Sequence, residues 1–361
     1  MPLFFAPRLW ANSDSIFEIL NRFDLYAKTL QQVNYSQKRV NFLGVISEDP
    51  NSFDYSNYKH LNIKIYRRGL LGQVNLTINF FKSVFKERMV ISGDPYFSFW
   101  LIWITKKALF RKYRIQISIH GIPLGGNHIN FFNMRNFALI RACRNADSVR
   151  VVSVHLSNTL QKNWGISMEK IVVAPIPVQV PRIIRDSKKK DQILILGRLH
   201  QERGVLLSLE IALKVLSKEP DATLLIIGDG PLRSGVELTV DQSGFKSRIS
   251  ILGKLPHSEA LVKMSESRVL LSSAPEEGFG LAIREAAYFG LFVVALENSG
   301  TVEAGHEFSS SLRLFSTVDE AVSLCQLSLK VNLETSVVKR IRSNRLALNE
   351  EYLRRIALSW L

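Results

Sequence analysis

The chain has 361 residues, of which 46% are hydrophobic and 22% are charged, and its formal net charge is +15. This length is more typical of two domains than of one. Its two cysteines are too few for a disulfide framework, and no apolar run reaches the roughly 18 residues of a membrane-spanning helix. These features exclude a disulfide-rich secreted domain and an integral membrane protein. Because the start of the chain also lacks the pattern of a signal peptide, we expect a soluble protein of the cytoplasm.

The positive charge is unevenly distributed along the chain. Residues 1–185 contain 25 Lys and Arg against 10 Asp and Glu, whereas residues 186–361 contain 22 of each. The whole excess therefore lies in the first half. This asymmetry predicts that only the N-terminal domain meets an anionic partner.

Short apolar runs alternate with helical segments in the first half, which is the pattern of a parallel α/β sheet. Ligands bind at the carboxyl ends of the strands of such sheets. Three stretches qualify by that rule: Asp14 with its neighbours, Gly93 to Pro95, and His120 with Gly121. The predicted strands are residues 2–9, 39–46, 62–66, 89–92, 115–120 and 149–154, and the predicted helices are residues 15–32 and 157–164.

Residues 96–110 read YFSFWLIWITKKALF and allow two interpretations. The first is a helix that docks on a membrane surface, with Phe99, Trp100 and Trp103 inserted and the lysines on anionic headgroups. The second is a core helix with a charged end. The run is too short to span a bilayer, and its sequence leaves both interpretations open.

An extended run with three prolines, residues 173–181, precedes a polar and basic segment. Proline stiffness and charge predict a linker at residues 181–190, which divides the chain into domains at residues 1–180 and 191–361. The second domain repeats the α/β pattern. Its predicted strands begin near residues 191, 222, 250, 269 and 292, and its predicted helices include residues 259–267, 317–329 and 337–359.

One strand–loop–helix–strand unit, residues 269–303, combines a glycine loop with two carboxylates. Glu277-Gly278-Phe279-Gly280 opens the helix, and Glu285 follows about two turns into it. The backbone N–H groups of Phe279, Gly280 and Leu281 have no acceptor within a helix and suit a phosphate. The carboxylates suit hydroxyl groups, so the pattern predicts a diphosphate with a sugar on one side and a ribose on the other.

A second strand of the same domain ends in Gly197 and is followed by Arg198 and Arg203. Two cations at the carboxyl end of a strand suit a nucleotide diphosphate, because guanidinium groups bind phosphate in a bidentate manner. Gly228 follows a third strand and allows the backbone to pass close to a nucleotide.

Together these motifs resemble the donor site of the retaining GT-B glycosyltransferases of family 4, of the bacterial surface-polysaccharide type. The resemblance rests on Glu-Gly-Phe-Gly-Leu and Glu-Ala-Ala-x-x-Gly with E-x7-E spacing, and on Gly-Arg-Leu upstream. The resemblance implies two Rossmann-like domains that face a cleft, with a UDP- or GDP-linked sugar on the second domain. It also implies retention of the anomeric configuration without a metal or other cofactor. It assigns Glu277 to the sugar hydroxyls, Glu285 to the ribose, and His120 to a position near the transferred sugar. The implied catalytic residues are His120, Arg198, Arg203 and Glu277, and the implied donor-binding residues are Gly197, Gly228, Lys254, Leu255, Gly278, Phe279, Gly280, Leu281 and Glu285.

The sequence departs from the family pattern at two places. Residues 10–15, Trp-Ala-Asn-Ser-Asp-Ser, stand where the family usually has a glycine pair, and Arg203 stands where it has a lysine. The resemblance predicts transfer of a hexose to a glycan or lipid-linked acceptor in polysaccharide or lipopolysaccharide biosynthesis, at the inner face of the cytoplasmic membrane. The alternatives are a polyanion-binding protein, although no nucleic-acid motif is present, and a catalytically inactive GT-B partner subunit. The absence of G-x-G-x-x-G after the first strand disfavours a dehydrogenase.

Overall fold

The computed structural model describes residues 2–6, 13–34, 38–47, 49–121, 134–178 and 189–361. The chain forms two compact units. We call Met1–Pro175 together with Glu350–Leu361 the N-terminal unit, and Ile176–Asn349 the C-terminal unit. Each unit is built around one parallel sheet covered by helices, as the alternating sequence pattern predicts.

The N-terminal unit contains a sheet of seven described strands, and every neighbouring pair in it is parallel. Their order is β3-β2-β1-β4-β5-β6-β7. The strands are β1 (Pro2–Ala6), β2 (Val40–Ile46), β3 (Leu61–Arg67), β4 (Met89–Ser92), β5 (Arg114–Ile119), β6 (Ser148–Val151) and β7 (Ile171–Val173). The described helices between them are α1 (Ser13–Val33), α2 (Leu70–Val84), α3 (Phe97–Ala108), α4 (Met134–Asn145) and α5 (Val154–Trp164).

The C-terminal unit contains a parallel sheet of six strands, in the order β10-β9-β8-β11-β12-β13. Counted within the unit this is 3-2-1-4-5-6, the order of the Rossmann fold, and the first six strands of the N-terminal unit follow the same order. The strands are β8 (Gln192–Leu196), β9 (Thr223–Ile227), β10 (Ile249–Ile251), β11 (Val269–Ser272), β12 (Phe292–Leu296) and β13 (Leu312–Phe315). The helices are α6 (Val205–Lys218), α7 (Arg233–Gln242), α8 (His257–Glu266), α9 (Leu281–Tyr288), α10 (Ser299–Phe308) and α11 (Val318–Lys330).

A long last helix, α12 (Thr335–Ser359), begins in the C-terminal unit and ends in the N-terminal unit. Its end is fixed in the N-terminal core by Ile356 and Trp360. The indole N–H of Trp360 donates to Gln116 Oε1 on β5 at 3.2 Å, and its ring stacks on Phe23 of α1. The predicted second domain, residues 191–361, is therefore wrong at its end, because residues 350–361 pack with the N-terminal unit. The predicted linker at residues 181–190 lies mostly outside the described residues.

Most predicted strands are confirmed to within about two residues, and the sequence patterns missed β7, β13 and several helices, among them α2 and α4. Residues Phe97–Ala108 form a helix, α3, whose inner face is buried in the core, as the second interpretation of residues 96–110 predicts. Phe99 and Ile102 of α3 are fully buried, and Trp100 and Trp103 are half-buried and packed edge to face. Phe99 is therefore not a residue that inserts into a membrane. In the described part of the chain, no helix has both the length and the apolar character that crossing a bilayer requires.

The turn after α3 holds a phenylalanine in a backbone conformation that favours glycine. Phe110 has a φ of +49°, and the N–H of Phe110 donates to the carbonyl of Lys107 while that of Arg111 donates to Lys106. These two hydrogen bonds form a Schellman motif, in which the left-handed position is usually glycine. The Phe110 side chain gains no burial in return, because the residue is 91% exposed.

We expect Phe110→Gly to stabilise the protein against unfolding by about 1 kcal/mol relative to Phe110→Ala, because alanine keeps the left-handed strain and glycine removes it. Urea denaturation followed by tryptophan fluorescence measures the difference. Equal midpoints for the two variants would show that the turn carries no strain.

Candidate functional site

The candidate site lies at the point where the strand order of the C-terminal sheet reverses. β8 and β11 are neighbours there, and their helical connections leave in opposite directions along the sheet. A crevice forms at the carboxyl ends of such a strand pair, and ligands bind in it. The loop after β8 contains Arg198 and Arg203, and the loop after β11 contains Glu277. The topology therefore brings the two sequence motifs to the same sheet edge.

The loop after β8 is shaped by two glycines. Gly197 has a φ of +144°, and Gly204, which begins α6, has a φ of +60°. A Cβ atom at Gly204 would lie 1.9 Å from the carbonyl oxygen of Ser273. Only glycine therefore allows this loop to contact the loop after β11. Arg203 directly precedes Gly204 and is held beside that contact.

The loop after β11 is supported from below by the start of α10. Asn298 caps this helix by accepting hydrogen bonds from the N–H groups of Gly300 and Thr301 at 3.0 Å. A Cβ atom at Gly300 would lie 1.8 Å from the carbonyl oxygen of Glu277. Gly280, with a φ of +70°, ends the loop and begins α9. The backbone on both sides of the Glu277 side chain is thus fixed by close contacts.

The two loops meet through charged and hydroxyl groups. Arg203 Nη1 lies 3.5 Å from both carboxylate oxygens of Glu277. Ser208 Oγ of α6 donates to Ser273 Oγ at 3.0 Å, and both residues are buried. A pocket opens at this junction. It is lined by Ile195, Leu196, Gly197, Arg198, Arg203, Val205, Ser208, Leu270, Leu271, Ser272, Glu277, Ala282 and Ile283.

The pocket therefore gathers four of the predicted site residues, namely Gly197, Arg198, Arg203 and Glu277. Arg198 is the most exposed of them, with 72% of its side chain accessible and a long contact of 3.7 Å to Glu202. Arg203 is only 32% exposed and Glu277 11%. The site thus offers one exposed surface cation and one cation that is positioned by a carboxylate.

Glu285 lies on α9 and its carboxylate contacts a residue that the sequence patterns did not single out. Glu285 Oε1 lies 2.9 Å from Nε2 of His257, the first residue of α8, and only 5% of the Glu285 side chain is exposed. The predicted contact of Glu285 with a ribose stays a prediction. The histidine was missed because the pairing of α8 with α9 is a tertiary contact without a local sequence signal.

A buried arginine, Arg284, lies directly beneath the glycine loop. Its guanidinium carbon lies 3.8 Å from the centre of the Phe279 ring, and Nη2 donates to Glu307 Oε1 of α10 at 2.5 Å. Arg345 of α12 is also buried and donates to the other oxygen of the same carboxylate. Two buried guanidinium groups therefore share one carboxylate. Among the described residues, Nη1 of Arg284 has no hydrogen-bond partner, and it lies near Gly280.

The remaining predicted donor-binding residues lie at the ends of neighbouring strands. Gly228 has a φ of +149°, and a Cβ atom there would lie 1.8 Å from the carbonyl oxygen of Gly197. Its N–H donates to the carbonyl of Gly253, two residues beyond β10. Lys254 is exposed, whereas Leu255 is half-buried and packs against the core beside α9. Gly228 thus joins the ends of β8, β9 and β10.

His120 follows β5 in the N-terminal unit. Desolvation, followed by the positive charges of Arg150 and Arg22, lowers the pKa of His120 to about 3. Part of His120 is exposed to solvent, which weakens the effect of desolvation. The positive charges of Arg150 and Arg22 lower the pKa of His120 by themselves. The imidazole is therefore neutral at physiological pH and can donate one hydrogen bond and accept another.

The other two candidate stretches of the N-terminal unit are the segment around Asp14 and the segment from Gly93 to Pro95. Residues 10–12 lie outside the described residues, and Ser13, Asp14 and Ser15 form the start of α1. The Asp94 carboxylate accepts hydrogen bonds from the N–H groups of Tyr96 and Ser98 at the start of α3. Asp94 thus has a structural role as a helix cap.

The chain is similar in sequence to known glycosyltransferases. Residues 180–310 match the family described as glycosyl transferases group 1. The chain is 29% identical over 225 residues to a subunit of the phosphatidylinositol N-acetylglucosaminyltransferase of Arabidopsis thaliana, a match that covers 59% of this chain and 48% of that protein. This chain thus spans about half of that relative's length.

Two solved structures have the same fold over nearly the whole chain. One is Anabaena Alr3699/HepE in complex with UDP and glucose, with a TM-score of 0.70, 15% identity, and coverage of 99% of this chain and 96% of that one. The other is the lipopolysaccharide outer core galactosyltransferase WaaB, with a TM-score of 0.66, 16% identity and full coverage of both chains. The chain has the GT-B fold of these neighbours, which confirms the fold predicted from its motifs.

We expect Glu307→Gln to destabilise the C-terminal unit by about 3 kcal/mol or more, because it leaves two buried guanidinium groups without a countercharge. Thermal unfolding and urea denaturation measure the loss. Glu350→Gln, an exposed carboxylate on the same long helix as Arg345, is the control and should change stability by no more than about 0.5 kcal/mol. Equal stability of the two variants would contradict this electrostatic account.

Proposed function

We propose that this chain, which contains a glycosyl transferases group 1 domain at residues 180–310, transfers a hexose from a nucleotide-diphosphate sugar to a glycan or lipid-linked acceptor. The observation that carries the proposal is the pairing of Arg203 with Glu277 at the strand-order reversal between β8 and β11. A cation for the diphosphate and a carboxylate for the sugar are held 3.5 Å apart by loops whose backbones are in contact.

The diphosphate would lie between the two arginines and the start of α9. Arg203 uses one nitrogen in a long contact with Glu277, so its other N–H groups are available for phosphate oxygens. Arg198 is exposed and can move to the same anion. The first turn of α9 adds backbone N–H groups and the positive end of the helix dipole. Buried Arg284 beneath Gly280 adds positive charge from the protein side.

The carboxylates would orient the two sugars of the donor. Glu277 accepts hydrogen bonds from hydroxyl groups of the transferred hexose, and its contact with Arg203 holds its carboxylate in place beside the diphosphate. Glu285 accepts from the ribose, and His257 orients its carboxylate at 2.9 Å. A donor that lies along α9 in this way places its anomeric carbon near Glu277.

During transfer the bond between the anomeric carbon and the diphosphate oxygen breaks, and an acceptor hydroxyl oxygen forms a new bond to that carbon. The proton of that hydroxyl passes to the departing diphosphate. Negative charge develops on the departing diphosphate. Arg198 and Arg203 stabilise it as fixed cations, and because this positive charge comes from the protein we propose a metal-independent reaction. We propose that the anomeric configuration is retained, as the sequence resemblance implies, and we assign no protein nucleophile.

The acceptor would meet the N-terminal unit, which has most of the excess of positive charge. A phosphorylated or lipid-linked glycan at the cytoplasmic face of a membrane suits such a surface. The neighbour WaaB is named for galactosyl transfer to lipopolysaccharide outer core, and the same class of acceptor is proposed for this chain. His120, neutral at physiological pH, is the residue of this unit that we place near the transferred sugar.

Nucleotide binding tests the donor site. At a ligand concentration of 100 times its dissociation constant, UDP or GDP should stabilise the native state by about 2.7 kcal/mol and raise the melting temperature of the C-terminal unit by roughly 5–10 °C. We expect one of UDP, GDP, ADP and CMP to do so. Arg203→Ala should weaken that binding about tenfold or more, because a charged hydrogen bond to phosphate contributes about 1.5–3 kcal/mol.

Arg340→Ala is the matched control for this measurement, since Arg340 is an exposed arginine of the same unit outside the pocket. The dissociation constant of the nucleotide from Arg340→Ala should equal that from the unchanged protein. Equal weakening in both arginine variants, or no response to any nucleotide, would reject the proposed donor site.

Turnover separates the transferase from a catalytically inactive GT-B subunit. Glu277→Gln keeps the shape of the side chain but removes the charge that orients the sugar. We expect release of nucleotide from the matching UDP- or GDP-sugar to fall at least about tenfold, while binding of the free nucleotide changes less. Absence of turnover in the unchanged protein, with normal nucleotide binding, would favour the inactive subunit.

A further inference from the structure

The outer face of α2 is apolar and exposed, although its inner face is already packed on the sheet. Leu76, Phe80 and Val84 form the buried face. The exposed apolar residues are Leu70 (83%), Leu71 (80%), Val74 (46%), Ile78 (44%), Phe81 (37%) and Phe85 (51%). At 3.6 residues per turn these six positions fall within one sector of about 100°. We call these six residues the α2 stripe.

A phenylalanine from the end of α3 extends the α2 stripe. Arg111 Nη2 donates to the carbonyl of Phe85 at 2.7 Å, and its guanidinium carbon lies 4.9 Å from the centre of the Phe85 ring. Arg111 thus joins the ends of α2 and α3. Its chain neighbour Phe110 is 91% exposed and is held in the left-handed conformation described above. A ring that is neither buried nor in a favourable backbone conformation is typical of a functional position.

The sequence segment that contains the α2 stripe and Phe110 is strongly basic. Residues 55–146 contain 15 Lys and Arg against only Glu87 and Asp94. Glu87 accepts a hydrogen bond from Asn41, and Asp94 caps α3. Lys82 on α2, Lys86 just beyond its end, and Lys107 and Lys112 near Phe110 are all exposed. No carboxylate side chain lies between residues 55 and 86.

We propose that the α2 stripe and Phe110 dock the N-terminal unit on an anionic lipid bilayer. An amphipathic helix that binds a bilayer buries its apolar face at the level of the headgroups and places lysines beside anionic lipid. A soluble polyanion would satisfy the lysines but would leave six large apolar side chains in water. The inference locates the membrane contact of the proposed function on α2 and on Phe110 in the turn after α3, and it holds whether or not the chain is an active transferase.

Vesicle flotation of the full chain tests the proposal. Vesicles of phosphatidylglycerol and phosphatidylcholine should bind the unchanged protein at least about tenfold more tightly than pure phosphatidylcholine does at low salt. The triple variant Leu71→Gln, Ile78→Gln and Phe85→Gln should weaken binding to the anionic vesicles at least about tenfold. The matched control is Leu238→Gln with Val262→Gln, two exposed apolar residues of the C-terminal unit, which should bind within about twofold of the unchanged protein.

Phe110→Gly provides a second test, in which weaker vesicle binding cannot be explained by unfolding of the variant. This variant should bind anionic vesicles several-fold more weakly although it is more stable than Phe110→Ala. Nucleotide-induced stabilisation reports on the C-terminal unit and should be the same in all these variants. If no nucleotide stabilised the unchanged protein, the proposed donor site would be rejected but the proposed membrane contact would not.

Two results would overturn the proposal. One is equal vesicle binding by the unchanged protein, the triple variant and Phe110→Gly. The other is an absence of vesicle binding together with a dimer in solution that the triple variant dissociates, because the α2 stripe would then contact a second copy of the chain.

Discussion

Close contact between backbone segments is the constraint on which the candidate site depends. Cβ atoms at Gly204, Gly228 and Gly300 would lie within 1.9 Å of the carbonyl oxygens of Ser273, Gly197 and Glu277, respectively. Any larger residue at these three positions would push the loops apart. The ion pair between the loop after β8 and the loop after β11 exists because these backbones are in contact. The glycines therefore determine the geometry of the charged groups, although they contribute no chemistry themselves.

Buried charge beneath the glycine loop follows from the same arrangement. Arg284 stacks on Phe279 and shares Glu307 with Arg345, so α9, α10 and α12 meet at one carboxylate. Two cations with one anion leave a net positive charge under the loop that we assign to a diphosphate. Burying this charge costs free energy in the absence of ligand. An anion bound at the start of α9 would offset that cost. The stability of the C-terminal unit would then depend on whether its site is occupied.

Local sequence patterns predicted the sheets and the loops of the site, and they failed where tertiary contacts decide the outcome. Apolar runs and glycine turns identified β4 and β12 within their observed bounds. The sequence pattern also placed Glu277 in the loop before α9 and Glu285 within that helix. The partners of these residues were not predictable. His257 and Glu307 contact the site from separate helices, and no short-range pattern reports such a pairing. α2 was missed because apolar residues on two faces do not give the one-sided periodicity of a surface helix.

The two units use positive charge in different ways. In the C-terminal unit the excess is small, with 22 Lys and Arg against 20 Asp and Glu. Its buried or half-buried arginines contact carboxylates, as Arg203, Arg268 and Arg284 show. Such pairs fix geometry inside a site. In the N-terminal unit the excess is +13, and it is spread over residues with few acidic residues near them in the sequence. Unpaired surface charge destabilises the compact state through self-repulsion, and an anionic surface relieves that repulsion over its whole area, whereas a single small anion relieves it at one point. The exposed apolar residues of α2 make a bilayer the anionic surface that fits both properties.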